Sequence, residues 1–468
     1  MREERKVMMT DMTKGSPTKL ILAFTIPILI GNLFQQFYNM VDTAIVGQFV
    51  GVGALAAVGS TGGLVFLVQG FINGLTHGFS VIVSQRYGAN DEQGIKKATA
   101  TAICLSAMAT IILTIICMIG AKPLLQLMNT PTDIISGASL YVSILFGGLV
   151  TMMIYNLLAS LLRAFGDSKT PLYFLVLASI TNIVLDLLLI INFNLGIAGA
   201  AIATVISQGL SGILCYIYMM KKFDILTLKK EHFKYDSLLV KELLLTSLPM
   251  ALQYSITAIG VMILQVAVNS FGSTTVAAYT AASKVEQLVM QPGIALGMTM
   301  ATYSAQNLGA CEIDRVRQGV CKCRWITLIV NAIAGVGVTL FGTYVVQMFI
   351  PAQNTDAIPL SQQYLSTVAV FFPILGLLFL YRFTLQGIGN TIVPMFAGVM
   401  ELIMRTIVAF TLPGILGFQG VCFASPFAWI GATVWLVGAY YKAIPKLKLK
   451  YQEQNEFEKT DLKLEKSY

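Results

Sequence analysis

Twelve times the 468-residue sequence runs apolar for twenty residues or more, with scarcely a charge inside each run. A helix of about 20 residues crosses the ~30 Å hydrocarbon core of a bilayer. Inside lipid only helices and closed barrels satisfy every backbone N–H and C=O. The runs are continuous rather than alternating in polarity, which selects helices. They fall near 20–42, 53–76, 98–120, 136–160, 172–192 and 197–219, then near 245–269, 276–300, 325–349, 361–381, 394–413 and 418–441. Numbered in that order as spans 1 to 12, they predict an all-α polytopic membrane protein. Only 12% of the residues are charged, against about 25% in soluble domains, which excludes an ordinary soluble globular protein. Span 1 follows Lys14 and Lys19 but is too long for the apolar core of a cleavable signal, and no small-residue cleavage site follows it.

A net charge of +8 would suit a nucleic-acid partner were it spread over one surface. Its distribution points elsewhere. With the N-terminus inside, the cytoplasmic segments hold 28 Lys and Arg, the outer segments hold Lys122, and the spans hold Lys284 and Arg405. That bias at alternate loops is the positive-inside pattern of a plasma-membrane protein with both termini cytoplasmic, and no nucleic acid is implied. Four cysteines fall in spans (Cys104, Cys117, Cys215, Cys422) and three in a predicted cytoplasmic loop (Cys311, Cys321, Cys323). An odd number so placed gives no disulfide framework. Cys321-Lys322-Cys323 brings too few ligands for a metal site.

The chain reads as a duplication. SQRYGA at 84–89 recurs as AQNLGA at 305–310, and GANDEQGIKKA at 88–98 is echoed by GACEIDRVRQG at 309–319. RAFGDSKTP at 163–171 is echoed by QGIGNTIVP at 386–394, and GIAGAAIAT at 196–204 by GFQGVCFAS at 417–425. The shift stays at 221 to 223 throughout. Six spans per half is an even number, so both halves enter from the same side as parallel repeats. The expected organisation is a cytoplasmic segment (1–19), a six-helix bundle (20–219), a Lys-rich cytoplasmic linker (220–244), a second bundle (245–441) and a cytoplasmic tail (442–468). Two such bundles define a cleft open to one side at a time, the geometry of alternating access.

Ionisable groups within lipid are costly, so each one calls for a reason. Span 1 carries a polar stripe, Gly31, Gln35, Tyr38 and Asp42, with Asn32 and Asn39 beside it, and Pro27 interrupts the same helix. Asn182 and Asp186 lie i,i+4 on span 5, and Thr204 on the next span. Two carboxylates, an amide and a hydroxyl make an oxygen-only set. It suits a hard cation such as Na+, and two carboxylates in one low-dielectric pocket also suit a shared proton. The residues leave sodium and proton both open. In the second half, Glu286 on span 8 is a candidate substrate or proton site, and Glu401 and Arg405 are placed to pair along span 11. His77 on span 2 reads as a hydrogen-bonded interior residue. No GxxxxGK[ST] phosphate loop occurs, so pumping would draw on an ion gradient rather than on ATP hydrolysed by this chain.

Taken together, Pro27 with NMVDTAIVG (39–47), SQRYGA after span 2, RAFGDSKTP before span 5 and NIVLD (182–186) within it resemble the multidrug and toxic compound extrusion family over about 15–445. The resemblance implies two pseudo-symmetric six-helix bundles. It is closer to the DinF-like branch, in which coupling runs through the N-terminal bundle. The matching positions are Asp42, Asn182, Asp186 and Thr204, with Tyr38 and Tyr141 lining the same cavity. Span 7 reads LPMALQYSITAIGVM (248–262), with Gln253 where the NorM-like branch carries an acid.

The expectation is an antiporter, not an enzyme. It exports amphipathic, cationic organic compounds in exchange for H+ or Na+, acts as a monomer in the lipid bilayer, and needs no cofactor. Coupling is assigned to Asp42, Asn182, Asp186 and Thr204, and the substrate cavity to Gln35, Tyr38, Asn39, Tyr141 and Glu286. Pro27 is the hinge. The rival is a lipid-linked oligosaccharide flippase of the same superfamily, whose pyrophosphate cargo calls for free Arg or Lys in the cavity.

Overall fold

Among the described residues all twelve apolar runs are largely helical, and most helices outlast their runs. The computed structural model describes residues 10–128, 130–223, 227–347 and 356–465. The first half comprises α1 (Pro17–Ile45), α2 (Val52–Gly88), α3 (Glu92–Leu127), α4 (Ile135–Gly147), α5 (Leu149–Ala164), α6 (Lys169–Leu187) and α7 (Gly196–Lys222). The second comprises α8 (Ser237–Asn269), α9 (Ser273–Gly309), α10 (Ile313–Gln347), α11 (Ala357–Ala369), α12 (Phe372–Gly387), α13 (Ile392–Thr411), two short turns α14 (Pro413–Leu416) and α15 (Phe418–Cys422), and α16 (Ala424–Glu465). Wide turns, Val46–Val50 and Leu188–Asn192, extend α1 and α6.

Among the described residues nine helical stretches are long and apolar enough to cross a bilayer, and two bent pairs, α4 with α5 at 49° and α11 with α12 at 52°, each supply one more. The twelfth span is α9, 37 residues long. It falls short on apolarity alone, because it runs at the centre of the protein and buries Glu286, Gln291, Thr299, Gln306 and Asn307 against other helices rather than lipid. The first bend lies at Gly147-Gly148. A Cβ on Gly148 would stand 2.4 Å from Val205 Cγ2, so the elbow leans on α7 where only glycine fits. The second bend precedes Pro373, whose missing N–H is harmless in the first turn of α12.

Outward faces carry lipid-type stripes. Ile111, Ile115 and Ile119 on α3, and Val336, Leu340 and Tyr344 on α10, recur every fourth residue and are more than half exposed. Unbroken apolar surface of this kind belongs against a membrane rather than water.

The duplication is written into the backbone. Gly51 and Gly272, Asn90 and Cys311, Gly166 and Gly389, and Gly196 and Gly417 all have positive φ. These pairs lie at the same shift as the sequence repeat. So do Pro27 inside α1 and Pro249 inside α8.

The halves meet chiefly where α2 and α8 run antiparallel. Gly70, Gly74 and Gly78, spaced i, i+4 and i+8, face Tyr254, Ala251 and Ser247. A Cβ on Gly74 would lie 2.5 Å from Ala251 Cα, and one on Gly78 2.3 Å from Ser247 Cα. Small residues at this spacing bring two membrane helices backbone to backbone.

Two readings need correction. Helix reaches into both ends of the 220–244 segment, since α7 runs to Lys222 and Asp236 caps α8 by accepting from the Leu238 and Leu239 N–H groups. Hydropathy marks what lipid buries, whereas a helix continues until it meets a cap. Arg382, assigned above to a cytoplasmic loop, lies inside α12 and is only 4% exposed. Residues 1–9 of the N-terminal segment, 224–226 of the linker, 348–349 of span 9 and 466–468 of the tail lie outside the described residues.

Candidate functional site

In the first half the structure brings Asp42, Asp186, Asn182, Thr204 and Tyr141 into one buried cluster, with the half-buried Tyr38 at its edge. The helical repeat sets Tyr38 one turn before Asp42 on α1, and Asn182 one turn before Asp186 on α6. The α7 helix adds Thr204, and α4 adds Tyr141. Asn182 and Asp186 are fully buried, and Asp42, Tyr141 and Thr204 nearly so. Asp42 and Asp186 lie close enough to act on each other electrostatically. With its amide nitrogen turned to Asp186, Asn182 donates to Asp186 Oδ2 (2.9 Å), while its oxygen accepts from the Thr204 N–H (3.2 Å). Tyr38 lies beside both acids, close enough to act on them electrostatically. Asp42 Oδ1 and Asp186 Oδ1 remain buried with no hydrogen-bond donor. Two such oxygens in one cluster call for a proton or a cation to compensate them. Gln35 is half-buried on the same stripe, and Asn39 is exposed.

The second half holds its own network, which sequence reasoning caught only in part. Tyr364 on α11 donates to Glu286 Oε2 (2.8 Å) and stacks edge-on against Tyr279. Glu401 does contact Arg405 along α13, at 3.8 Å, but its tighter partner is Arg382 of α12. All four charged groups are buried. The acids and the arginines are equal in number, so the network is neutral. Tyr364 was findable, since it stands 223 residues after Tyr141, at the repeat shift. Lys284 is exposed on α9.

On the face that carries the α7–α8 linker, the two halves latch symmetrically. Gln85 Nε2 donates to the Gly387 carbonyl (3.0 Å), and Gln306 Nε2 to the Ala164 carbonyl (2.8 Å). Each acceptor ends a helix of the opposite half, where carbonyls lack intrahelical partners. Gly88 and Gly309 pack just beyond, each against the backbone of the other half's glutamine. Residues 10–15 thread into the same seam. The fully buried Met12 donates its N–H to Gln306 Oε1 (3.0 Å) and accepts from Asn307 Nδ2 (3.1 Å), and Arg315 donates to the Gly15 carbonyl (3.1 Å).

A model of the MatE family matches residues 27–188 and 249–411, one copy in each half. The chain belongs to the MatE family. Among curated MatE relatives, the probable multidrug resistance proteins YoeA and YpnP of Bacillus subtilis (strain 168) are similar. YoeA is 32% identical over 73% of this chain and 76% of its own length, and YpnP 31% over 81% and 83%. The fold matches a solved multidrug resistance MATE family transporter of the MOP superfamily, described in an outward-facing conformation. The TM-score is 0.89 at 22% identity, covering 95% of this chain and all of that one. The protein is thus a polytopic membrane protein of a multidrug efflux transporter family. Among the described residues no group of three or more His, Cys, Asp or Glu could hold a metal ion. Cys321 is exposed and Cys323 buried, so the Cys-x-Cys pair points two ways.

Proposed function

We propose that this MatE protein exports amphipathic, cationic organic compounds across the plasma membrane in exchange for H+ or Na+, by alternating access. The linker face is the cytoplasmic one and is closed in this structure. The observation that carries the reading is the pair of donorless carboxylate oxygens on Asp42 and Asp186. Inside the bundle, Coulomb repulsion between two adjacent anions is screened far less than in water. One proton or one Na+, held with Asn182 and Thr204, relieves it. An organic cation entering the cleft would relieve the same repulsion, so ion and substrate compete for one site, and competition for one site is what makes exchange obligatory. Tyr38, Tyr141 and Gln35 line the approach on the first half, and Glu286 is the acid on the second. The relatives' printed role as multidrug resistance proteins supports an organic cargo. The flippase reading finds little support, because Arg382 and Arg405, the buried guanidinium groups beside the second-half acids, both face Glu401.

The test is transport in proteoliposomes with separately imposed Na+ and pH gradients. Asp42→Asn and Asp186→Asn should each strongly reduce ion-driven export while the protein still folds and inserts. Export at wild-type rates by both variants would move the coupling site elsewhere, with Glu286 the next place to look.

A further inference from the structure

The chain just ahead of α1 is bound to both halves at once. Thr10 lies on the first half. Gly166, at positive φ between α5 and α6, has its open side filled by the Thr10 backbone, and a Cβ there would stand 2.3 Å from the Thr10 carbonyl oxygen. Met12 and Gly15 are held by the second half. Beyond the bonds of Met12 to Gln306 and Asn307, Arg315 Nη2 donates to the carbonyls of Met12 (3.3 Å) and Gly15 (3.1 Å), and Arg315 Nε donates to Asn307 Oδ1 (3.1 Å). The Met12 side chain packs into the apolar core of the second half, together with Ile21, Phe24 and Ile28 of α1. The duplication does not require this arrangement. Phe233 stands 221 residues after Met12, just ahead of α8, yet it is 45% exposed. A Cβ on Gly389, the counterpart of Gly166, would meet only Gln85 Nε2, at 3.6 Å. Among the described residues, only one of the two equivalent grooves holds such a strap.

We propose that residues 10–15 are a clasp on the linker face: docked, they hold the two halves shut, and the face opens only as they withdraw. The proposal rests on the alternating-access reading above. Gln306 supplies the physical link. It is fully buried, with its Nε2 spent on the Ala164 carbonyl and its Oε1 on the Met12 N–H. Withdrawing the strap from a closed face would strand that oxygen without its donor, and a buried acceptor left unsatisfied is costly. It would also leave a cavity where the Met12 side chain sat. Opening the face with the strap docked would pull either Thr10 from Gly166 or Met12 from Gln306, because those partners lie on halves that part. Release of the strap and opening of the face are therefore one event. The strap runs within two residues into α1, which carries Asp42 farther along. The clasp and the ion site thus share one helix.

The experiment uses the full-length chain in inside-out vesicles, with Thr302→Cys as the reporter of opening in a chain without its native cysteines. Trypsin reports the strap. The Lys14 side chain is 86% exposed, so cleavage after it, read as a new N-terminus at Gly15, waits on release of the bound backbone around it. Met12→Glu sets a carboxylate into the apolar core. Arg315→Gln removes, from outside the strap, the donor to the Met12 and Gly15 carbonyls. Each should raise both the cleavage rate and the labelling rate of Thr302→Cys, Met12→Glu by at least about tenfold. Met12→Leu, which keeps the volume and the apolar contact, should leave both rates near wild type. Faster cleavage with labelling at the wild-type rate would overturn the clasp and leave alternating access standing. So would unchanged cleavage in both Met12→Glu and Arg315→Gln, or an equal rise in Met12→Leu. A Thr302→Cys that the reagent reaches in no variant would overturn the alternating-access reading and the clasp together.

Discussion

Adding one methyl group at Gly78 should unbalance the transport cycle in a calculable direction. The Cβ of Gly78→Ala would stand 2.3 Å from Ser247 Cα and 2.6 Å from Ser247 Cβ. Carbon atoms rest at about 3.5–4.0 Å, so α2 and α8 must part by over about 1 Å. Overpacking of this kind costs about 1–3 kcal/mol. In the proposed cycle the seam exists only while the linker face is closed, so the whole cost falls on one state. At about 1.4 kcal/mol per tenfold, the equilibrium shifts toward the cytoplasm-open form by roughly 5–150-fold. The assay is the labelling rate of a cysteine placed at Thr302, in a chain stripped of its native cysteines, by a thiol reagent added to the cytoplasmic side of inside-out vesicles. Gly59→Ala is the control, since nothing lies within 4 Å of a Cβ at that position. Labelling of Gly78→Ala at the wild-type rate would show that the α2–α8 contact is not what opens. An equal rise in Gly59→Ala would show that the effect is not packing.

Glu401→Gln should leave the buried Arg382 and Arg405 without their shared acid and destabilise the protein by about 3–5 kcal/mol. Glu401→Gln with Arg382→Gln should recover most of that loss in thermal unfolding, and no recovery would mean the pair is not the source. Gln85→Ala and Gln306→Ala should each weaken the closed face by about 0.5–1.5 kcal/mol. Both should raise the Thr302→Cys labelling rate, Gln306→Ala more because it also releases Met12; identical effects would argue against the Met12 contact. Pro27→Ala restores a donor for the Ala23 carbonyl and stiffens α1. A regained bond of about 1 kcal/mol should slow turnover about fivefold while drug binding, measured separately, changes less; unchanged turnover would remove Pro27 from the mechanism.

Much of this was legible because lipid imposes a simple rule. The spans and the duplication follow from periodicity and from the scarcity of charge, whereas the Asp42–Asp186–Asn182–Thr204 grouping across spans 1, 5 and 6 rested on its oxygen-only chemistry and on the family resemblance. Arg382 was misplaced because hydropathy ends span 10 at a change of composition. Its acid partner, Glu401, is 19 residues away on another helix, and no window spanning one helix can pair them. Arg163 was read as part of a loop motif for the same reason: a helix end folded into the seam has the composition of a loop. The latches were half visible. The repeated Gln-x-x-Gly of 85–88 and 306–309 stood out, but the carbonyls they bind lie beyond the bends of α4–α5 and α11–α12, which only the packing of α7 and the position of Pro373 create.

The paired glutamine latches have an implication for how such a molecule could arise. Each half offers the other one amide donor and one helix-end carbonyl, and receives the same two in return. Reciprocal contact of that kind is the mark of an isologous interface, the sort that holds twofold homodimers together. The closed linker face is laid out like a dimer interface whose two subunits share one polypeptide. An ancestor half this size would have needed no new chemistry to close on a copy of itself. The asymmetric parts, the acid pair of one half and the neutral ion network of the other, are what fusion into a single chain left free to diverge.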